Sequence, residues 1–150
     1  MAVRFQNYLY SYRRNGKPVF VPSSRGEKIG RELKAKIERA VVFDPFLFHL
    51  RAGGHVAALH EHRVHRYFAR VDIERFFYGI SRNRVARNLA EVGIDRAASN
   101  AKWSCVRNPY DEPRYALPYG FVQSPILASL VLMRSPVGDF LRSLPPEVTK

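Results

Sequence analysis

The chain has 150 residues, enough for one domain that buries most of its apolar surface without disulfides or a structural metal. Its single cysteine, Cys105, cannot form an internal disulfide. No segment approaches the roughly 20 uninterrupted apolar residues of a membrane helix, and the start Met-Ala-Val-Arg-Phe lacks the apolar core of a signal peptide, so a soluble, cytoplasmic chain with no membrane partner is expected. The 25 Lys and Arg against 13 Asp and Glu leave a formal charge of +12, which makes a polyanion the expected partner. The excess is steepest in the first 40 positions, where ten basic residues from Arg4 to Arg39 face only Glu27, Glu32 and Glu38. Contact with a phosphate backbone explains that excess, because each neutralised phosphate releases counterions.

In chain order, Arg4 to Arg13 and Pro18 to Pro22 read as two extended segments joined at Asn15-Gly16, a dipeptide suited to the positive backbone angles of a tight hairpin. Ser24-Arg25-Gly26-Glu27 matches a capping box, and Ile29, Leu33 and Ile37 at helical spacing predict a helix over about 26–40 with a basic outer face. Phe43 to Leu50 is apolar and interrupted by Pro45, and it leads into the flexible corner at Gly53-Gly54. Val56 to His62 predicts a short helix, and Tyr67 to Ile73 alternates as a strand would. Ser81 caps a helix carrying Val85, Leu89 and Val92, with Gly93 as its terminator, and a second helix follows within about 94–106. Asn108 to Pro113 is turn chemistry, Arg114 to Leu117 a short strand, and Gln123 to Leu144 a long apolar segment broken by Pro136. Helices and strands without regular alternation indicate an α+β fold.

Two segments carry candidate chemistry. Arg70-Val71-Asp72-Ile73-Glu74-Arg75-Phe76-Phe77 sets one carboxylate at the end of an apolar strand, a position that also suits an N-cap for a helix starting at Ile73. Further on comes Leu117-Pro118-Tyr119-Gly120-Phe121-Val122-Gln123-Ser124-Pro125. The first segment resembles the reverse transcriptase motif in which an aspartate precedes Phe-Phe. The second resembles that family's Leu-Pro-x-Gly, three variable residues, then Ser-Pro, and the order is the same. The version Gly-Phe-Val-Gln-Ser-Pro is similar to bacterial lineages linked to phage (antiviral) defence. The resemblance implies the fingers and an incomplete palm of a right-hand polymerase, with 1–66 a fingers-like basic region and 67–150 a partial palm.

By that resemblance the chain is part of an RNA-directed DNA polymerase, acting on an RNA template, a DNA product and deoxynucleoside triphosphates. Such enzymes join a primer hydroxyl to a nucleotide through two Mg²⁺ ions, and hard oxygen ligands suit that ion. Asp72 is implied to be the catalytic carboxylate and a ligand of both ions, with the carbonyl of Ile73 helping to hold the triphosphate-side metal. Phe77 is implied to lie beneath the sugar and to leave no room for a 2′-hydroxyl. Tyr119, Gly120, Gln123 and Ser124 are implied to line the nucleotide and template base, although Tyr119 stands where the family commonly has glutamine. Arg51, Arg63 and Arg66 fall in the interval that grips the triphosphate, and an Arg fork can hold phosphate oxygens in a bidentate manner.

His49, His55, His60, His62 and His65 cluster, but their spacings fit no zinc pattern, and proximity to a nucleic-acid path is the simpler explanation. Cys105 and Trp103 read as core residues. The family also needs a Tyr-x-Asp-Asp hairpin, and the carboxylates after Glu112, Asp139 and Glu147, do not form one. The 150 residues alone are therefore expected not to polymerise, and the helix starting near Gln123 is expected to expose an apolar patch that makes the isolated chain poorly soluble. The alternative is a non-catalytic nucleic-acid-binding protein with a polymerase-like fold.

Overall fold

A computed structural model describes residues 5–148 and 150 of the chain, and its architecture is mixed α+β. The hairpin forms as expected from β1 (Tyr8–Arg14) and β2 (Lys17–Pro22). Asn15 and Gly16 take φ of 51° and 74°, the paired positive angles of a turn whose twist matches the strands. The register shifts between Tyr8 and Tyr10, so Tyr8 turns inward to meet Phe20 edge-on at 5.0 Å while Tyr10 and Tyr12 stand outward.

Helix α1 (Ser24–Ala40) starts one residue earlier than its capping box suggested. Ser23 is the cap, accepting from the Gly26 amide at 3.1 Å, and its own amide donates to the Asn7 carbonyl at 2.9 Å. Gly26 thus occupies the position a capping box gives to Glu, because a Cβ there would stand 2.5 Å from the Asn7 carbonyl oxygen. Glu27 pairs instead with Arg31 at 2.7 Å. Helix α2 (Gly54–His62) buries no residue.

Helix α3 (Arg82–Glu91) has the predicted Ser81 cap, with Oγ accepting from the Arg84 amide at 3.2 Å. It ends in a Schellman motif: Gly93 at φ 77° donates to Ala90, Ile94 donates back to Leu89, and the Leu89 and Ile94 side chains share one core. Helix α4 (Ala97–Ser104), strands β3 (Val106–Arg107) and β4 (Tyr115–Ala116), and helices α5 (Ser124–Met133) and α6 (Pro136–Ser143) complete the order. The apolar stripes of α1, α3 and α4 close on α5, with Leu33, Ile37, Val85, Leu89, Ala101 and Leu130 in a single cluster. Residues 1–66 and 67–150, distinct by sequence, share that cluster. A second, smaller core joins Phe20 of the hairpin to Tyr78, Val106, Ala116 and Phe121.

Two expectations are corrected. Tyr67 to Ile73 forms no regular secondary structure and pairs with no strand among the described residues, so it is not a sheet element. A strand is completed by a neighbour that exchanges N–H and C=O bonds with it, and local alternation cannot supply one. No helix begins at Ile73 either, which removes the N-cap reading of Asp72. The exposed apolar patch is also not on α5, which is apolar all round and buried from Ile126 to Val131. Bare apolar side chains lie in the unpaired segment, with Tyr67 93%, Phe68 70% and Val71 89% exposed, and also at Val42, Leu59, Val64 and, on α6, Phe140. No described helix is long and apolar enough to cross a membrane.

Candidate functional site

After Asp72 the chain turns through Arg75, at φ 50°, into a 3₁₀ turn over Phe77–Gly79, with Gly79 donating to the carbonyls of Arg75 and Phe76. This tight turn sends adjacent rings in different directions. Tyr78 points inward and is 3% exposed, donating its hydroxyl to the Pro18 carbonyl at 2.7 Å, and burial pushes its phenol up to about 12. It therefore remains a donor that ties the turn to the hairpin. Phe77 lies half-buried beside it, at the edge of the larger core.

The second motif reaches the same place from the other side. Leu117 donates to the Ile80 carbonyl at 3.2 Å, and the Tyr119 carbonyl accepts from the Phe20 amide at 2.8 Å, so the segment is held between the first motif and β2. Phe77 and Tyr119 consequently stack, with centroids 4.7 Å apart and planes 24° from parallel. Tyr78 meets Tyr119 edge-on at 5.6 Å and Tyr110 at 5.4 Å. Two cations rim this cluster: Lys17 Nζ is 5.7 Å from the Tyr119 ring, and the Arg75 guanidinium is 4.0 Å from the Tyr110 ring. Lys17, Arg75, Tyr78 and Tyr110 escaped the sequence reading. The Phe-Phe-Tyr run was a usable signal for Tyr78, whereas nothing local marks Tyr110.

Other site residues fall differently. Asp72 and Ile73 sit in the unpaired segment, and the exposed Asp72 carboxylate makes no hydrogen bond or ion pair among the described residues. Asp72 is a hard-oxygen donor of the right kind for Mg²⁺, but no three His, Cys, Asp or Glu side chains gather as a metal-holding group among the described residues. The residues present thus offer part of a two-ion ligand set and do not by themselves fit it.

Gly120 does allow the close backbone approach expected of it, at φ 106°, but what approaches is Phe20: a Cβ would stand 2.0 Å from the Phe20 carbonyl oxygen. Gln123 is corrected outright as a nucleotide contact. It is 1% exposed and donates to Ser104 Oγ at 3.3 Å, filling the space left by Gly30, where a Cβ would lie 2.2 Å from Gln123 Oε1. The pair lets α1 approach the start of α5. Ser124 Oγ is buried beside it and has no hydrogen-bond partner among the described residues.

Arg51 is engaged locally, donating to the Pro45 carbonyl at 2.7 Å, pairing with Glu61 at 3.3 Å and lying 4.7 Å from the Phe48 ring. Arg63 and Arg66 are exposed and have no ion-pair partner among the described residues, so of the three they are the ones able to meet an anion. Trp103 is not core: it is half-buried between Phe5, at 4.7 Å, and the Arg25 guanidinium, at 5.2 Å. Cys105 is buried, and burial pushes its thiol up to about 12, which suits an inert core residue.

His49 Nε2 is 2.6 Å from Ser129 Oγ, which donates its own proton to the Pro125 carbonyl at 2.8 Å, so the imidazole is the donor. The residue is exposed overall, but partial desolvation of its ring against Ser129 holds His49 below its ordinary value of 6.5. The unfolded chain therefore binds the proton more readily, and the stability this histidine contributes is complete above pH 6.5 and lost as pH falls through the folded-state value. Urea midpoints measured at about pH 7.5 and about pH 5.5 should differ less for His49→Gln than for the native chain, because the amide can replace the donor without titrating.

Scanned against known protein families, curated proteins and solved structures, the chain matches none.

Proposed function

We propose that this chain is the fingers and first part of the palm of an RNA-directed DNA polymerase, with Asp72 as the metal-binding carboxylate and Phe77 as the gate beneath the sugar of the incoming deoxynucleotide. The observation that carries the reading is the stack of Phe77 on Tyr119 at 4.7 Å, since the two segments bearing the family resemblance converge on one spot with cations at its rim. Two rings already stacked on each other offer a flat apolar platform at that spot, which suits a nucleoside laid against its edge, with Phe77 beneath the sugar. Exposed Arg63 and Arg66 supply fork donors for phosphate oxygens. The unpaired, apolar Tyr67 to Ile73 fits a palm strand whose neighbour, with the remaining carboxylates, comes from elsewhere in the gene product. Bacterial antiviral defence is the setting suggested by the form of the second motif.

The test is primer extension on an RNA template by the product of the gene's whole reading frame. Deoxynucleotides should be incorporated, and Phe77→Ala should newly admit ribonucleotides. A product that extends no primer under any divalent cation would refute the polymerase reading. The second reading, a nucleic-acid-binding protein without catalysis, draws support from the unpaired basic hairpin, and it expects oligonucleotide binding with no extension.

A further inference from the structure

The basic excess of the first 40 residues divides between two elements. On α1 much of it is neutralised: Arg31 pairs with Glu27, Lys34 with Glu38, and Lys36 with Asp95 at 2.9 Å. The hairpin is different, because no Asp or Glu precedes Glu27 in the sequence, and neither Arg14 nor Lys17 has an ion-pair partner among the described residues. The hairpin thus carries Arg13, Arg14 and Lys17 with no carboxylate of its own and no ion pair among the described residues to offset them.

The bulge decides what accompanies it. Tyr10 pairs across the hairpin with Val21, Tyr12 with Val19, and Arg14 with Lys17, whereas the buried Phe20 pairs with Ser11 on the opposite face. The outward face thus presents Tyr10 and Tyr12, 58% and 45% exposed, over a half-buried valine floor and leads into two cations. About half of each ring is left bare to solvent, which costs solubility. Rings two residues apart on a strand are separated by roughly 7 Å, about twice the ~3.4 Å spacing of stacked bases, so one base fits between them. From Lys17 the path continues to Tyr119, 5.7 Å away.

We propose that the outer face of this hairpin is a binding track for an unpaired polynucleotide strand, with bases stacking on Tyr10 and Tyr12 and phosphates meeting Arg14 and Lys17. Stacking tolerates any base, since every base has a π-face, and cations on one side of the rings track the backbone. A duplex cannot use the rings because its bases already stack on each other. The proposal rests on Tyr10, Tyr12 and Arg14, which the polymerase reading does not use, and shares only Lys17 and its neighbour Tyr119 with that reading.

Fluorescence anisotropy of the 150-residue chain with labelled oligo(U), oligo(dT) and a blunt duplex of equal length tests it. Both single strands should bind more tightly than the duplex, and the ratio of oligo(U) to oligo(dT) affinity assigns the strand as RNA or DNA. Tyr10→Ala and Tyr12→Ala should each weaken single-strand binding by roughly fivefold to a hundredfold, and the corresponding Phe variants should retain it. Because both rings are exposed, the alanine variants should keep the native circular dichroism. Arg14→Gln and Lys17→Gln should each lower the salt slope by about one. Alanine variants that bind as tightly as the native chain, or equal affinity for duplex and single strand, would overturn the proposal, and so would failure to bind any of the three probes.

Discussion

Gly120→Ala should cost the fold about 3–5 kcal/mol, the largest loss expected from any single methyl group in this chain. Two penalties coincide there. At φ 106° an L-residue is strained, by roughly 1–3 kcal/mol. The new Cβ would also stand 2.0 Å from the Phe20 carbonyl oxygen, and that backbone cannot step aside while the Phe20 amide donates to Tyr119. Gly16→Ala is the matched control, at φ 74° with nothing within 4 Å, and should cost only about 1 kcal/mol. Urea unfolding of both variants measures the difference. Equal losses would mean that the hairpin is not docked on the second motif. A large excess at Gly120 would mean that this glycine seats β2 against Tyr119 and so holds the Phe77 stack in place.

Asp72→Asn should abolish primer extension by the product of the whole reading frame while leaving stability almost untouched. Groups that merely support a metal ligand already matter by roughly 10- to 100-fold, so if Asp72 is the metal-binding carboxylate of the proposed function its loss should lower the rate at least 100-fold. The exposed Asp72 carboxylate has no hydrogen bond or ion pair among the described residues to lose, and a substitution of that kind usually shifts stability by less than about 0.5 kcal/mol. A rate that survives the change would remove Asp72 from the chemistry and leave the hairpin track as the main functional surface. Unfolding of the variant would instead show that Asp72 serves the fold.

Local signals sufficed wherever one residue type does a local job. Asn15-Gly16 determined the hairpin, Ser81 and Gly93 bounded α3, and Pro136 separated α5 from α6, because turn angles, caps and missing amides are settled within a few residues. Leu33 and Ile37 were legible as core for the same reason, since helical spacing puts them on one face. The cap of α1 moved from Ser24 to Ser23 because the decisive partner, Asn7, is distant in sequence. The alternating segment 67–73 failed as a strand for want of a neighbour, and alternation says nothing about neighbours. Gln123 illustrates the limit most clearly: a polar side chain at a helix start reads as a ligand contact until α1 is seen to cover it.

The sequence by itself determined the basic character, which follows from composition, and the element order outside the segment 67–73 and the short strand β3, which follows from short-range backbone preferences; β3 exists only through its pairing with β4. Only the tertiary structure decided that Phe77 stacks on Tyr119, that Gly120 receives Phe20, that three of the six cations of α1 are paired, and that Tyr10 and Tyr12 face outward beside cations with no ion-pair partner among the described residues. Those outcomes depend on which distant backbone comes within hydrogen-bonding reach and on a one-residue shift of strand register, and neither is encoded in any local window.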